Sequence, residues 1–207
     1  GSEDINSIAL SLAVKSGRGE VLLPAVYTIV KDLIGLSERY KNTPMLARTH
    51  AVAANITTVG KEFSNSLSRL CDEITMFRTL RFAAKCSGEV GSWQAHAVLG
   101  NQDWIAQTDT FIRSFDLDST HAATQIAPYD RIVEFLQSLF RLNSILLDFC
   151  KNCWLLVLLG YFSVKKVNKE IGSSGMPQKV NPIYFEGAEG GLEMANGIIE
   201  TLVRKLP

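Results

Sequence analysis

The chain has 207 residues, of which 46% are apolar and 20% charged, and its 21 basic side chains balance its 21 acidic ones to a formal net charge of +0. That balance, with no long block of like charge, argues against a polyanion-tracking surface, so nucleic acid is not an expected partner. The apolar fraction belongs to packed globular proteins rather than disordered ones, and the length suits one sizeable domain.

In chain order, a first helical segment carries Ile8 and Leu12 and runs into "SGRGE" (16–20), whose glycines are expected to break or kink it. Val26, Ile29/Val30, Leu33 and Leu36 then mark a second apolar stripe at helical spacing. "KNTP" (41–44) closes that region, because the residue before Pro44 is biased away from helix. Ile56, Val59, Phe63, Leu67, Leu70, Ile74 and Phe77 step by three and four and predict a helix with one continuous seam.

"GNQDW" (100–104) and "STHAATQIAPYD" (119–130) read as polar connections. Ile132, Phe135, Leu139, Leu142, Leu146, Phe149, Cys153 and Leu156 repeat the seam in a helix roughly 40 Å long at 1.5 Å per residue. The apolar run "WLLVLLGYF" (154–162) is well short of the ~20 residues that a membrane span needs, so it is expected to be a buried helix end. A last helix is predicted from Asn181-Pro182, with Asn as N-cap and Pro at the first helical position, through Leu192, Ala195, Ile198/Ile199 and Leu202. No strand alternation competes with these helices.

The fold class is therefore all-α, an elongated bundle of long helices. Phe82, Trp93, Phe140 and Trp154 lie off the seams, which predicts faces that pack against other chains. Cys71, Cys86, Cys150 and Cys153 include a single Cys-x-x-Cys pair with no accompanying histidine ligands, so core thiols in a reducing, cytoplasmic setting are expected.

The least expected stretch in so apolar a chain is "EIGSSGMPQKVNPIYFEG" (170–187). Its serines, Lys179 and Asn181 are groups that move protons and hold carboxylates, and its glycines permit backbone conformations that a Cβ hinders. The bland alternative is an inter-helix linker ending in an N-cap.

Three separated motifs resemble those of the fumarase/aspartase superfamily: "SEDIN" (2–6), "PMLARTH…GKEF" (44–63) and, most specifically, "GSSGMPQKVNP" (172–182). "QAH" (94–96), Thr124-Gln125-Ile126 with Pro128, and "NPIYFEGAEG" (181–190) are similar to the branch that acts on adenylosuccinate, rather than to the fumarase, aspartase or argininosuccinate branches. Another superfamily lyase and a catalytically silent helical assembly module are the alternatives.

The resemblance implies the family's central helical domain, here 1–207 as one domain without the smaller N-terminal and C-terminal domains. It implies a C–N lyase that releases fumarate by anti β-elimination, acting on a small nucleotide substrate of purine biosynthesis. It also implies a homotetramer with sites shared between subunits, no cofactor and no metal, and neither a membrane nor a nucleic-acid partner.

By position, the resemblance gives Ser173 as the base, His50 as the acid and Glu186 as the partner that orients His50. Lys179, Asn181, Met176, Ser174, Gln125, Thr124, Thr49 and Ser2 become substrate-binding candidates. His96 is a structural or substrate neighbour, and His121 is expected to be exposed. The likeness fails after His50, where the family continues Gly-Gln-Pro-Ala and this chain reads Ala51-Val52-Ala53-Ala54. Valine cannot replace a glutamine's hydrogen bond to substrate, a loss of about 1–3 kcal/mol in a buried site.

Overall fold

Helix α1 (Ser2–Ser16) opens the computed structural model, which describes residues 1–100, 102–165, 175–176 and 178–207. A π-helical segment, Gly17–Leu22, joins it to α2 (Leu23–Arg39), so "SGRGE" widens the helix instead of breaking it. Its i→i+5 bonding accommodates one extra residue per turn. The antiparallel pair β1 (Pro44–Thr49) and β2 (Val52–Thr58) precedes α3 (Val59–Thr79).

Two short strands, β3 (Ala83–Ala84) and β4 (Asp118–Ser119), pair in parallel around the helices α4 (Gln94–Val98) and α5 (Trp104–Arg113). The long α6 (Asp130–Leu158) and α7 (Ile183–Lys205) complete the described elements. The fold is all-α in class, with the β1–β2 hairpin as a departure that sequence alternation does not announce. Pro182 O, rather than that of Asn181, accepts the first helical bonds of α7, from Phe185 N at 3.0 Å and Glu186 N at 3.3 Å. The helix therefore starts one residue later than expected.

The chain forms two compact units. The first comprises Gly1–Thr28, Ile74–Leu139 and Thr201–Pro207. Its core contains Phe77, Phe82, Ile112, Leu117 and Ile132, with Phe77 stacked on Phe135 at 5.1 Å and Phe82 edge-on to the same ring at 5.6 Å. Each such aromatic pair contributes about 0.5–1.5 kcal/mol beyond the area it buries. Phe82 is thus a core residue of its own chain. The buried face of α1 is polar: Asp4, Ser7 and Ser11 are inside, while Ile8 and Leu12 are half-buried.

The second unit comprises Ile29–Glu73 and Phe140–Glu200. Leu33, Leu70, Leu142, Ile145, Cys150, Cys153 and Ile199 are buried there, so the seams of α3 and α6 pack as their spacing predicts, except that Ile56, expected to open the α3 seam, lies in β2 and is exposed. Phe63 stacks on Phe162 at 5.9 Å and approaches Phe149 at 6.4 Å. Within this core Asn143 Nδ2 donates to Asn196 Oδ1 at 3.0 Å, joining α6 to α7 through two buried amides.

Two sequence expectations change. Cys150 and Cys153 are buried, but Cys71 is exposed and Cys86 only partly covered, so core burial holds for two of the four thiols. The apolar run 154–162 is only partly buried, for Trp154, Leu155, Leu158 and Leu159 are exposed. No helix among the described residues is long and apolar enough to cross a membrane.

Candidate functional site

The candidate residues fall into both units. In the second, β1 and β2 pair Pro44 with Thr58 and Thr49 with Val52, with a bulge between Leu46 and Arg48. The two residues left at the tip are His50 and Ala51, with φ of 52° and 63°. Two-residue hairpin turns need positive φ, which is why they favour Asn-Gly, and a non-glycine pair there is strained. The family's glycine after the histidine thus falls on a backbone conformation that suits glycine, and Ala51 adopts it regardless.

Two residues that sequence reasoning passed over brace the turn. Arg48 Nη1 donates to Ala51 O at 3.1 Å, and its Nε donates to Tyr161 Oη at 3.2 Å. The Tyr161 hydroxyl donates in turn to Leu46 O at 2.9 Å. Arg48 lies inside "ARTH", so its place two residues before the histidine was visible; Tyr161 is 113 residues away and was not. Thr49, His50 and Val52 all face solvent, an orientation from which an imidazole can exchange a proton with a ligand.

Near α7, Lys179 N donates to Met176 O at 2.9 Å, forming a tight turn ahead of the helix. Met176 and Lys179 are exposed and Asn181 is half-buried. Glu186 stands exposed in the first turn of α7, where the helix dipole favours a carboxylate. No hydrogen bond joins His50 to Glu186 among the described residues. Ser173 and Ser174 lie outside the described residues.

In the first unit Ser2 is the exposed first residue of α1, and Thr124 and Gln125 are exposed in the connection between β4 and α6. An open crevice of about 730 Å³ adjoins Thr124 and is walled by Ala122, Ile126, Pro128, Tyr129 and Leu206. The connection is fastened at Thr120, whose N–H donates to Ala84 O at 2.9 Å, and at His121, whose Nε2 lies 3.3 Å from Asp109 Oδ1. His121 is exposed as expected, whereas His96 is half-buried against the Trp104 ring at 5.3 Å.

Two residues after Ser2, α1 carries one half of a buried ion pair. Lys85 is fully buried and Asp4 only 7% exposed, with Nζ and Oδ1 2.8 Å apart. Burial alone would push the Asp4 carboxyl up, but the Lys85 ammonium, the Gly1 amine 3.2 Å from Asp4 Oδ2 and the Gly88 N–H hold it below the usual carboxylate range.

The lyase family profile matches residues 1–197 of this chain. Adenylosuccinate lyase of Haemophilus influenzae is 38% identical over 207 residues, covering 100% of this chain and 45% of that protein. The adenylosuccinate lyase of Vibrio cholerae is 38% identical over 208 residues, with 100% and 46% covered, and that of Escherichia coli K12 is 37% identical over 207 residues, with 100% and 45% covered. The chain spans about half the length of the curated relatives it matches.

Proposed function

The chain belongs to the lyase family of the fumarase/aspartase superfamily, and from that premise we propose that it carries the central catalytic domain of an enzyme that cleaves adenylosuccinate to AMP and fumarate. The succinylated aminoimidazole carboxamide ribotide is the second substrate of the same site. The carrying observation is "GSSGMPQKVNP" (172–182) inside a stretch that is 38% identical, over its whole length, to an adenylosuccinate lyase.

The chemistry asked of the residues is an anti β-elimination. Ser173, activated by neighbouring positive charge, takes the proton from the carbon beside a carboxylate, and the resulting electron pair forms the double bond of fumarate as the C–N bond breaks. Lys179 and Asn181, with Ser174 and Met176, hold the carboxylate whose negative charge rises during the step. His50 delivers a proton to the departing nitrogen, with Glu186 orienting the imidazole. Thr49, Ser2, Thr124 and Gln125 hold the remainder of the substrate.

Ser2, Thr124 and Gln125 belong to one compact unit and the other described candidates to the second. We propose a homotetramer in which residues from different subunits complete each site. The exposed apolar residues Ile183, Met194 and Ile198 on α7 and Leu158 on α6 support such packing. Buried free thiols support a cytoplasmic setting.

The test is fumarate release from adenylosuccinate by the full-length protein, followed by ultraviolet absorbance, for wild type and Ser173→Ala. The variant is expected to lose at least about 100-fold in kcat while still binding substrate. An inactive wild type, or a Ser173→Ala variant that turns over like wild type, would overturn the assignment.

A further inference from the structure

The buried Asp4–Lys85 pair plays no part in the proton transfers proposed above. Burying two charges is costly, and apolar residues of the same volume are often no less stabilising, so the pair raises the question of what it fixes. Its bonds answer in part. The Lys85 ammonium also donates to Gly88 O at 2.8 Å, and the Asp4 carboxylate accepts from Ser87 N at 3.3 Å and Gly88 N at 3.0 Å. Ser7 Oγ, one turn further along α1, accepts from Lys85 N at 3.1 Å. The first two turns of α1 are thus locked to residues 85–88, and Ser2 lies two positions before Asp4 on the same rigid helix.

The far side of that turn leads to the other binding segment. Gly91 N donates to Gly88 O at 3.3 Å, and Trp93 N to Ser87 O at 2.9 Å. Gly91 has φ of 80°, and a Cβ there would overlap Ala123 O and lie 2.7 Å from its carbonyl carbon and 3.1 Å from Thr124 O. Only a residue without a side chain lets the two backbones touch. From the opposite side, Thr120 and His121 fasten the same connection to β3 and α5.

We infer that Asp4, Lys85 and Gly91 are positioning residues that hold Ser2 and the Thr124–Gln125 segment in one register through the 85–91 turn. The inference rests on the lyase reading for the substrate that these segments bind, but the coupling is a property of the chain itself. Gly91→Ala in the full-length protein pushes on Ala123 and Thr124 without touching the buried charges. It is expected to raise KM for adenylosuccinate about tenfold while kcat stays within about threefold. Ser2→Ala added to Gly91→Ala is expected to raise KM by less than the product of the two single effects, since one displacement already disturbs both segments.

A readout independent of turnover is amide hydrogen exchange. Asp4→Asn is expected to speed exchange at Thr120 and Ala123 about tenfold while leaving α6 unchanged. Unchanged KM in a folded Gly91→Ala variant, independent Ser2 and Gly91 effects, or unchanged exchange in Asp4→Asn would each overturn the coupling. An inactive wild type would overturn the lyase reading alone, and exchange would still decide the coupling.

Discussion

Gly60→Ala is a demanding test of how the His50 hairpin is held. Gly60 is buried in the first turn of α3, and its N–H donates to Tyr40 O at 3.0 Å beside a Val59 N to Thr43 O bond of the same length. These two bonds close the base of the β1–β2 excursion. A Cβ at position 60 would overlap Ser37 O and lie 2.6 Å from both Lys41 Cα and Lys41 N. All three neighbours are main chain, so relief requires the end of α2 to move.

Overpacking of this kind costs about 1–3 kcal/mol, and the upper end applies where backbone must shift. Losing one of the two closing bonds adds about 1 kcal/mol, while the better helix propensity of alanine returns up to about 1 kcal/mol. The net expectation is a loss of about 3 kcal/mol in urea unfolding, with kcat reduced as the hairpin base opens. Gly35→Ala is the control: nothing lies within 4 Å of its Cβ, and the same substitution in α2 should stabilise by up to about 1 kcal/mol. A Gly60→Ala protein as stable as wild type would refute the argument.

Asn143→Ala should cost about 1–3 kcal/mol, because it leaves the Asn196 amide buried without its partner; equal urea midpoints would count against that. The Asp4 carboxyl has its ordinary value of 3.8 lowered, against the opposing effect of burial, by Lys85, the Gly1 amine and Gly88. Its stabilising contribution is therefore fully present above that value and is lost as pH falls through the lowered one. Wild type and Asp4→Asn should converge in stability on acidification, and a constant gap would exclude this linkage. Burial, then the neighbouring Cys150, pushes the Cys153 thiol up to about 12. In native protein at about pH 8, a thiol reagent should label exposed Cys71 and spare Cys153 until the chain unfolds; mass spectrometry showing early Cys153 labelling would contradict the packing.

The helices that were legible in the sequence are those whose burial follows their spacing. In α3 and α6 every third or fourth residue is apolar and lies against a core, so periodicity alone locates them. The hairpin was not legible because every residue of β2 is exposed or half-buried, which removes the inside-outside alternation that marks a strand. In α1 the core-facing residues are Asp4, Ser7 and Ser11, satisfied by the turn at 85–88 and by Ala83 O, so hydrophobicity points to the wrong face. The candidate site was readable as motifs, and Arg48 was within reach. The Asp4–Lys85 pair was not, since nothing local marks two opposite charges about 80 residues apart as partners.

The π-helical segment at Gly17–Leu22 sets the phase between α1 and the start of α2. Removing one residue from it would restore ordinary helix, yet would rotate α1 by about 100° about its axis. Asp4 would then swing away from Lys85, stranding an unpaired ammonium in the interior. Length in this short stretch is therefore under tighter constraint than composition: a point substitution among its exposed side chains is absorbed, whereas a single-codon deletion would displace Ser2 without altering any candidate site residue.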